Sequence, residues 1–262
     1  MSELIIALAL VGTVAAAVWD LFTTEVPDEI PVLMIISGVL FWYLTSLGSD
    51  LYPLFVSLIV GTLVFAIGVL MYKKGQWGGA DAFILAAIAY MIPLRNGSVF
   101  MIDYIINFFI VSAVYMVIYS VVLGLRHPRA MSLFGERLQK TWKLAVGVPL
   151  VLYVATMILF AGLLSPMKIS LLYAAIILLI LFWLYGKIIE EHLFKRRISV
   201  SKLKEGDVLE GMIWRGITKK EIAAIRKTKK YVTIKEGVRF VPVFAINLVV
   251  TLVFGNLLFF II

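Results

Sequence analysis

KKGQWGGAD, at residues 73–81, stands directly before an apolar run of the chain. Asp81 is therefore an ionisable carboxylate at the start of a predicted membrane helix, behind small residues that let other backbone come close. A second carboxylate, Asp20, ends the first apolar run. The sequence predicts that these two acids lie at the same face of a membrane.

The composition is that of a membrane protein. Of the 262 residues, 62% are hydrophobic and only 15% are charged, far from the composition of an ordinary soluble domain. Apolar runs of about 20 residues, enough to cross ~30 Å of hydrocarbon, recur along the chain. The chain has no cysteine, which excludes disulfides, thiolate catalysis and thiolate metal sites.

Eight apolar segments are candidate transmembrane helices, so we expect an all-α polytopic membrane protein with six to eight transmembrane helices. The first segment has no Lys or Arg before it and carries Glu3 instead, which indicates a retained span rather than a secretion signal. The fourth segment is short and ends at Pro93, as a partial span would. The candidates lie at about 4–22, 31–48, 53–72, 81–94, 100–124, 143–165, 169–188 and 240–262.

The basic residues predict the orientation of these spans. With the N-terminus outside, every Lys and Arg except Arg95 and Lys168 falls in a cytoplasmic connection or at its edge, as the positive-inside rule requires. We therefore expect a multi-pass protein of the plasma membrane, with the net charge of +8 arising from inside loops rather than from a nucleic-acid partner. The predicted cytoplasmic connections are 23–30, 73–80, 125–142 and 187–239.

Residues 187–239 differ in composition from the rest, because they are strongly basic and contain no long apolar run. We predict a small α+β cytoplasmic insert here, placed before the last helix. The chain then divides into a helical membrane domain at 1–186, the insert, and a C-terminal membrane helix at 240–262. The basic face of the insert either contacts anionic membrane lipids or is simply solvated.

Local patterns predict the elements of this insert. The stretch 199–214 is expected to be extended, with a turn at 204–207. Capping-box spacing between Thr218 and Glu221 predicts a short helix, and residues 231–235 alternate like a strand.

Asp20 and Asp81 suggest a protease that uses a carboxylate pair. Two carboxylates a few Å apart do not both ionise easily, so they share one proton. The ionised member can then take a proton from water while the protonated member donates to a scissile carbonyl. Each acid alone is equally typical of an interfacial side chain that reaches headgroup water.

Other hydrolytic chemistries lack the residues they need. The only histidines, His127 and His192, fall in predicted cytoplasmic segments, and the chain has no HExxH zinc motif and no Gly-x-Ser-x-Gly elbow. No metal or cofactor is expected. Two competing classes stay open: a proton-coupled transporter that uses the two carboxylates for proton binding, and a non-catalytic scaffold.

At these residues the sequence resembles the archaeal preflagellin and prepilin peptidases, GxGD-type intramembrane aspartyl proteases related to bacterial type IV prepilin peptidases. The resemblance covers residues 1–94 well and 187–262 moderately. Ala80 departs from the GxGD pattern, which expects glycine there. The matching segments are Asp20, Val26-Pro27-Asp28, Gly78-Gly79-Ala80-Asp81, and the segment Gly237-Val238-Arg239-Phe240-Val241-Pro242-Val243-Phe244 at the last helix.

The resemblance implies a function. Asp20 and Asp81 would be the catalytic pair of an aspartic endopeptidase, and Gly78, Gly79 and Ala80 would allow substrate backbone to approach. The implied substrates are archaellin (preflagellin) or type IV pilin-like precursors with short basic, class III-type leaders, which are cut at the cytoplasmic face.

The loop after Asp20 carries Glu25, Asp28 and Glu29 but no Lys or Arg. We hypothesise that these acids attract the basic leader. Alternatively, Asp28 caps the second span and the glutamates are solvated. Pro242 either shapes the path of the substrate or simply begins the last helix.

Overall fold

The computed structural model describes residues 2–48, 50–160, 165–210, 216–235 and 237–260. Over these residues the chain forms ten α-helices, and two apolar ones, Gly79–Met91 and Pro242–Phe254, are too short to cross a membrane. The helices are α1 (Ser2–Thr23), α2 (Glu29–Ser46), α3 (Tyr52–Lys73), α4 (Gly79–Met91), α5 (Phe100–Arg126), α6 (Pro128–Trp142), α7 (Val148–Leu159), α8 (Pro166–His192), α9 (Lys219–Thr228) and α10 (Pro242–Phe254).

Short strands accompany the helices. An antiparallel pair follows α4, and its turn residues Asn96 and Gly97 both have positive φ, as a tight two-residue turn demands. The strands are β1 (Leu94–Arg95), β2 (Ser98–Val99), β3 (Lys195–Ser199), β4 (Val208–Leu209) and β5 (Tyr231–Lys235).

The predicted fold class is confirmed. Six helical segments in the described ranges are long and apolar enough to cross a membrane, within the expected six to eight. One of them is continuous from Pro128 to Leu159, because α6 runs through a π-helical turn at Lys143–Gly147 into α7. Most of the connection predicted at 125–142 is therefore the helix α6, and its cytoplasmic location stays a prediction. The apolar positions of α6 pack on α8, as expected for an amphipathic helix.

Contacts divide the chain into two units. The first takes the described residues of 1–115, 200–229 and 237–262, and the second takes those of 116–199 and 230–236. Both candidate acids lie in the first unit.

The first unit is built around α4. Eight of the 13 residues of this helix are buried and the other five are partly buried. Three glycines on α2 and α3 let those helices approach it closely. A Cβ atom added at Gly38, Gly61 or Gly68 would come within 2.5–3.0 Å of an atom of α4. Small residues at such positions are typical of tightly packed membrane helices.

The 13 residues of α4 extend only about 20 Å, short of the hydrocarbon thickness, as the sequence predicted for this segment. Its last carbonyl groups therefore need partners inside the protein. The Ser57 hydroxyl donates to the Tyr90 carbonyl at 2.7 Å, and Trp42 Nε1 donates to the Met91 carbonyl at 3.1 Å. Side chains of the neighbouring helices α3 and α2 thus provide hydrogen-bond donors for the last carbonyl groups of α4.

The last helix is shorter than the predicted span 240–262, since α10 ends at Phe254. Gly255 has φ of 69° and breaks the helix. Asn107 of α5 stabilises the backbone at this break. Its Nδ2 donates to the Gly255 carbonyl at 2.6 Å, and its Oδ1 accepts a hydrogen bond from the Leu257 N–H at 2.8 Å. The side chain of Asn107 thereby satisfies backbone groups that the broken helix leaves free.

Two further hydrogen bonds join α5 to α10. The Tyr104 hydroxyl donates to the Phe244 carbonyl at 3.0 Å, and Asn247 Nδ2 donates to the Tyr104 carbonyl at 2.9 Å. All three side chains are fully buried. These bonds fix the position of α10 along α5.

The predicted elements of the basic insert are largely present. In α9, the Thr218 N–H donates to Glu221 Oε2 at 2.8 Å, which is part of the expected capping box. The turn at 204–207 contains Gly206 with φ of 94°. Only β4 is extended within the described part of 200–214, after a 3₁₀ turn at Val200–Lys202, and 211–215 lie outside the described residues.

In the second unit, α6 packs on α8 around Ala130, Tyr185, Ile188 and Ile189. An ion pair between Arg137 and Glu191, 3.0 Å apart, joins the same helices. The strands β3 and β5 pair antiparallel, which confirms the strand predicted at 231–235.

Candidate active site

Asp20 lies in the last turn of α1, and only 5% of its surface is exposed. Its Oδ2 accepts a hydrogen bond of 3.1 Å from the backbone N–H of Val241. Val241 is the residue before Pro242, the first residue of α10. The first N–H groups of a helix have no partner within the helix and attract negative charge. Pro242 is the first residue of α10, which agrees with one of the two interpretations of this residue.

Asp81 is the third residue of α4 and is partly buried. Its Oδ2 accepts a hydrogen bond of 3.0 Å from the backbone N–H of Gly78. Gly78 precedes the first residue of α4, so the Asp81 carboxylate closes the start of its own helix.

The fold brings these two acids together. α1 packs against both α4 and α10, and the carboxyl groups of Asp20 and Asp81 are near enough for their charges to interact. Each carboxylate accepts a backbone N–H at a helix start, where negative charge is stabilised. Such a pair can hold one proton between its two members, one acting as a base and the other as an acid.

Gly78 and Gly79 have different surroundings. A Cβ atom added at Gly78 would lie 3.0 Å from Asp81 Oδ2, whereas one added at Gly79 would meet only a ring carbon of Tyr72 at an ordinary 3.7 Å. Gly78 therefore leaves room for the carboxylate of Asp81 itself. Ala80 is partly buried against the core of the unit. The expected role of all three residues, close approach of substrate backbone, stays a prediction.

The acidic loop, defined as Glu25, Asp28 and Glu29, is exposed. Within the described part of the chain, none of the three carboxylates has a hydrogen bond or an ion pair. Asp28 does occupy the position before α2, but its side chain makes no capping hydrogen bond. These acids are therefore free to meet a ligand, although their role as leader-binding residues stays a prediction.

Sequence reasoning assigned no role to Arg239, which the fold places beside the pair. Arg239 lies two residues before Val241, whose backbone N–H donates to Asp20. Its carbonyl accepts a 2.6 Å hydrogen bond from the Tyr115 hydroxyl of α5, and its buried Nε has no hydrogen-bond partner among the described residues. In the sequence, Arg239 stands just before an apolar helix, within the segment 237–244 that carries part of the family resemblance.

Among the residues that the structure describes, no three His, Cys, Asp or Glu side chains cluster closely enough to hold a metal ion.

The part of the chain that contains both acids matches a known protein family. Residues 6–124 match the model of the type IV leader peptidase family. The match confirms the resemblance found in the sequence and covers the helices that carry Asp20 and Asp81. Neither the curated proteins nor the solved structures give a match to the chain.

Proposed function

We propose, from the match of residues 6–124 to the type IV leader peptidase family, that the protein is a membrane aspartyl endopeptidase. Its substrates are archaellin (preflagellin) or type IV pilin-like precursors, from which it removes the short basic leader peptide. Cleavage takes place at the cytoplasmic face of the membrane. Asp20 and Asp81 are the catalytic pair, and no cofactor takes part.

One observation carries this proposal. Asp20 at the end of α1 and Asp81 at the start of α4 lie on helices that pack against each other, and each carboxylate accepts a backbone N–H at a helix start. A buried acid in an apolar helix is costly unless it has a function or a partner. A pair of such acids that repel each other costs more still, so this arrangement supports catalysis rather than stability.

The mechanism follows from a shared proton. The ionised carboxylate removes a proton from a water molecule, whose oxygen attacks the scissile carbonyl carbon, while the protonated carboxyl group donates to the carbonyl oxygen. The tetrahedral intermediate then collapses as the leaving nitrogen receives a proton. The surrounding apolar helices strengthen both proton transfers because they lower the local dielectric.

The acidic loop supports a basic leader as substrate. Glu25, Asp28 and Glu29 follow Asp20 directly in the chain, and their carboxylates are exposed and unpaired among the described residues. A Lys or Arg in the leader would meet complementary charge near the catalytic pair. The orientation inferred from the positive-inside rule puts this loop in the cytoplasm, where leaders of this type are available.

The transporter alternative has less support. Proton-coupled transporters generally bind near the bilayer midplane, at broken helices. Here Asp20 stands in the last turn of its helix and Asp81 in the first turn of another, and the family match favours a peptidase.

The direct test uses purified protein in detergent micelles and a precursor that bears a basic leader. We expect the wild type to release the leader, and Asp20→Asn and Asp81→Asn each to abolish release while keeping the wild-type melting temperature. Glu136→Gln, an exposed acid of α6, is the matched control and should cleave normally. Wild-type rates in either aspartate variant would refute the proposal.

A further inference from the structure

We infer that Phe108 of α5 is a positioning residue for the catalytic pair, because its ring packs on both of the segments whose backbone binds the two carboxylates. These two holding segments are residues 75–78, which lead into α4, and residues 237–241, which lead into α10. The inference rests on the proposed function and goes further, because it names the side chain that keeps the two acids in place relative to each other.

Each holding segment ends in the N–H group that binds a carboxylate. Gly78 donates to Asp81 Oδ2 at 3.0 Å, and Val241 donates to Asp20 Oδ2 at 3.1 Å. Neither segment is helix or strand, so side-chain contacts contribute to holding it in place. A shift of either segment breaks its hydrogen bond or moves the carboxylate, and a catalytic group displaced by about 1 Å can cost 100-fold in rate.

Phe108 contacts both holding segments. Its ring centroid lies 6.2 Å from that of Trp77, the residue before Gly78. It lies 5.9 Å from that of Phe240, the residue before Val241. Both contacts are edge-to-face, with interplanar angles of 61° and 88°. Rings in this arrangement attract each other, because the positive edge of one faces the negative face of the other. One side chain therefore joins the two segments.

The position of Phe108 is itself fixed. Its side chain is buried in the core, and its ring centroid lies 5.2 Å from that of Phe244 on α10. The Tyr104 hydroxyl, one turn earlier on α5, donates to the Phe244 carbonyl. The preceding residue, Asn107, donates to the Gly255 carbonyl. Because α5 is tied to α10 on both sides of this ring, the ring is a firm support for the holding segments.

Phe100 is a matched aromatic residue with no such contacts. It lies on the same helix and in the same core cluster, about 12 Å before Phe108, and both side chains are buried. Within the described part of the chain, its ring packs on that of Tyr104 and not on Trp77 or Phe240. Leucine at either position removes the same atoms from the same core, so a difference between the two variants reports the contacts with the holding segments.

The first test compares Phe108→Leu with Phe100→Leu in cleavage of a precursor with a basic leader. Both variants should lower the melting temperature by similar amounts. We expect Phe108→Leu to lower kcat by roughly 10- to 100-fold and to leave KM nearly unchanged, because the acids are displaced while binding of the leader is not. Phe100→Leu should leave both constants nearly unchanged. Equal kcat values in the two folded variants overturn the inference.

The second test does not depend on cleavage. The chain has no cysteine, so Gln76→Cys and Gly237→Cys introduce two exposed thiols, one in each holding segment. A Cβ atom at Gly237 meets nothing within 4 Å. Spin labels on the two thiols measure the distance between the segments by double electron–electron resonance. We expect a narrow distribution with Phe108 present and in Phe100→Leu, and a broader or displaced one in Phe108→Leu. An unchanged distribution in Phe108→Leu overturns the inference.

If Phe108→Leu does not fold, Trp77→Leu takes its place in both tests, since Trp77 is only partly buried. Loss of this ring frees one holding segment, so kcat should fall and the distance distribution should broaden, and no change in either overturns the inference. The inference also fails separately from the proposed function. Inactive Asp20→Asn and Asp81→Asn beside a fully active Phe108→Leu refute the inference alone. A wild type that does not cleave refutes the proposed function, and the distance distribution then decides whether Phe108 joins the two segments.

Discussion

Oδ2 of Asp20 accepts a hydrogen bond of 3.1 Å from the backbone N–H of Val241, which lies 221 positions further along the chain. This bond joins the end of α1 to the start of α10. The placement of one candidate catalytic acid therefore depends on the last helix, which the hydrogen bonds of Tyr104 and Asn247 tie to α5. Polar contacts between α5 and α10 should matter for both stability and activity.

Asn107 offers the clearest test of those contacts. Its amide bonds to the Thr251 hydroxyl, the Gly255 carbonyl and the Leu257 N–H, all inside the protein. Asn107→Leu leaves these groups without a partner, so we expect the free energy of unfolding to fall by about 1–3 kcal/mol. Unfolding in mixed micelles measures the change.

Ser112→Ala is the matched control on the same helix, because within the described residues the Ser112 hydroxyl bonds to the Phe109 carbonyl of α5 itself and to no other helix. This variant should lose less than about 0.5 kcal/mol. An equal loss in both variants would mean that the contacts of Asn107 with α10 contribute nothing specific.

The start of α4 gives a paired test of the site. In Gly78→Ala the new methyl group would stand 3.0 Å from Asp81 Oδ2, so the carboxylate has to move. We expect leader cleavage to slow by roughly 10- to 100-fold, since small displacements of a catalytic group are costly. In Gly79→Ala the methyl group meets Tyr72 at 3.7 Å, an ordinary contact, and activity should stay within about twofold of wild type.

Initial rates of cleavage at saturating and at limiting precursor show whether each variant changes catalysis or substrate binding. Melting temperatures show whether either variant is misfolded. Similar activities in Gly78→Ala and Gly79→Ala would mean that Gly78 does not make room for Asp81.

Local sequence patterns were enough to predict much of this protein. Long apolar runs gave the spanning helices, and the small residues before Asp81 indicated a helix start near an acid. The bond from Val241 to Asp20 was not predictable, because nothing local in either segment records a contact across the whole chain. Gly255 likewise looked like one more residue in an apolar run, although its positive φ and its contact with Asn107 end α10 there.

The acidic loop should recognise charge on the substrate. Reversing Glu25 and Glu29 to lysine replaces attraction of a basic leader by repulsion, so we expect KM for a basic leader to rise by about tenfold at low salt. KM for a neutral leader should change little. Added salt should narrow the difference, since all of these groups are exposed. Equal loss on both leaders would show that the loop acts on the fold and not on substrate charge.

The orientation of the chain can be tested directly, because the protein has no cysteine of its own. Lys220→Cys in α9 and Ser98→Cys in β2 each introduce one exposed thiol. The positive-inside rule predicts that a membrane-impermeant maleimide labels Ser98→Cys in intact cells, and labels Lys220→Cys only after the membrane is opened. The cysteine-free wild type measures background labelling. The reverse pattern would put α9 and its basic residues outside, and would then remove the charge-based reason for placing leader cleavage in the cytoplasm.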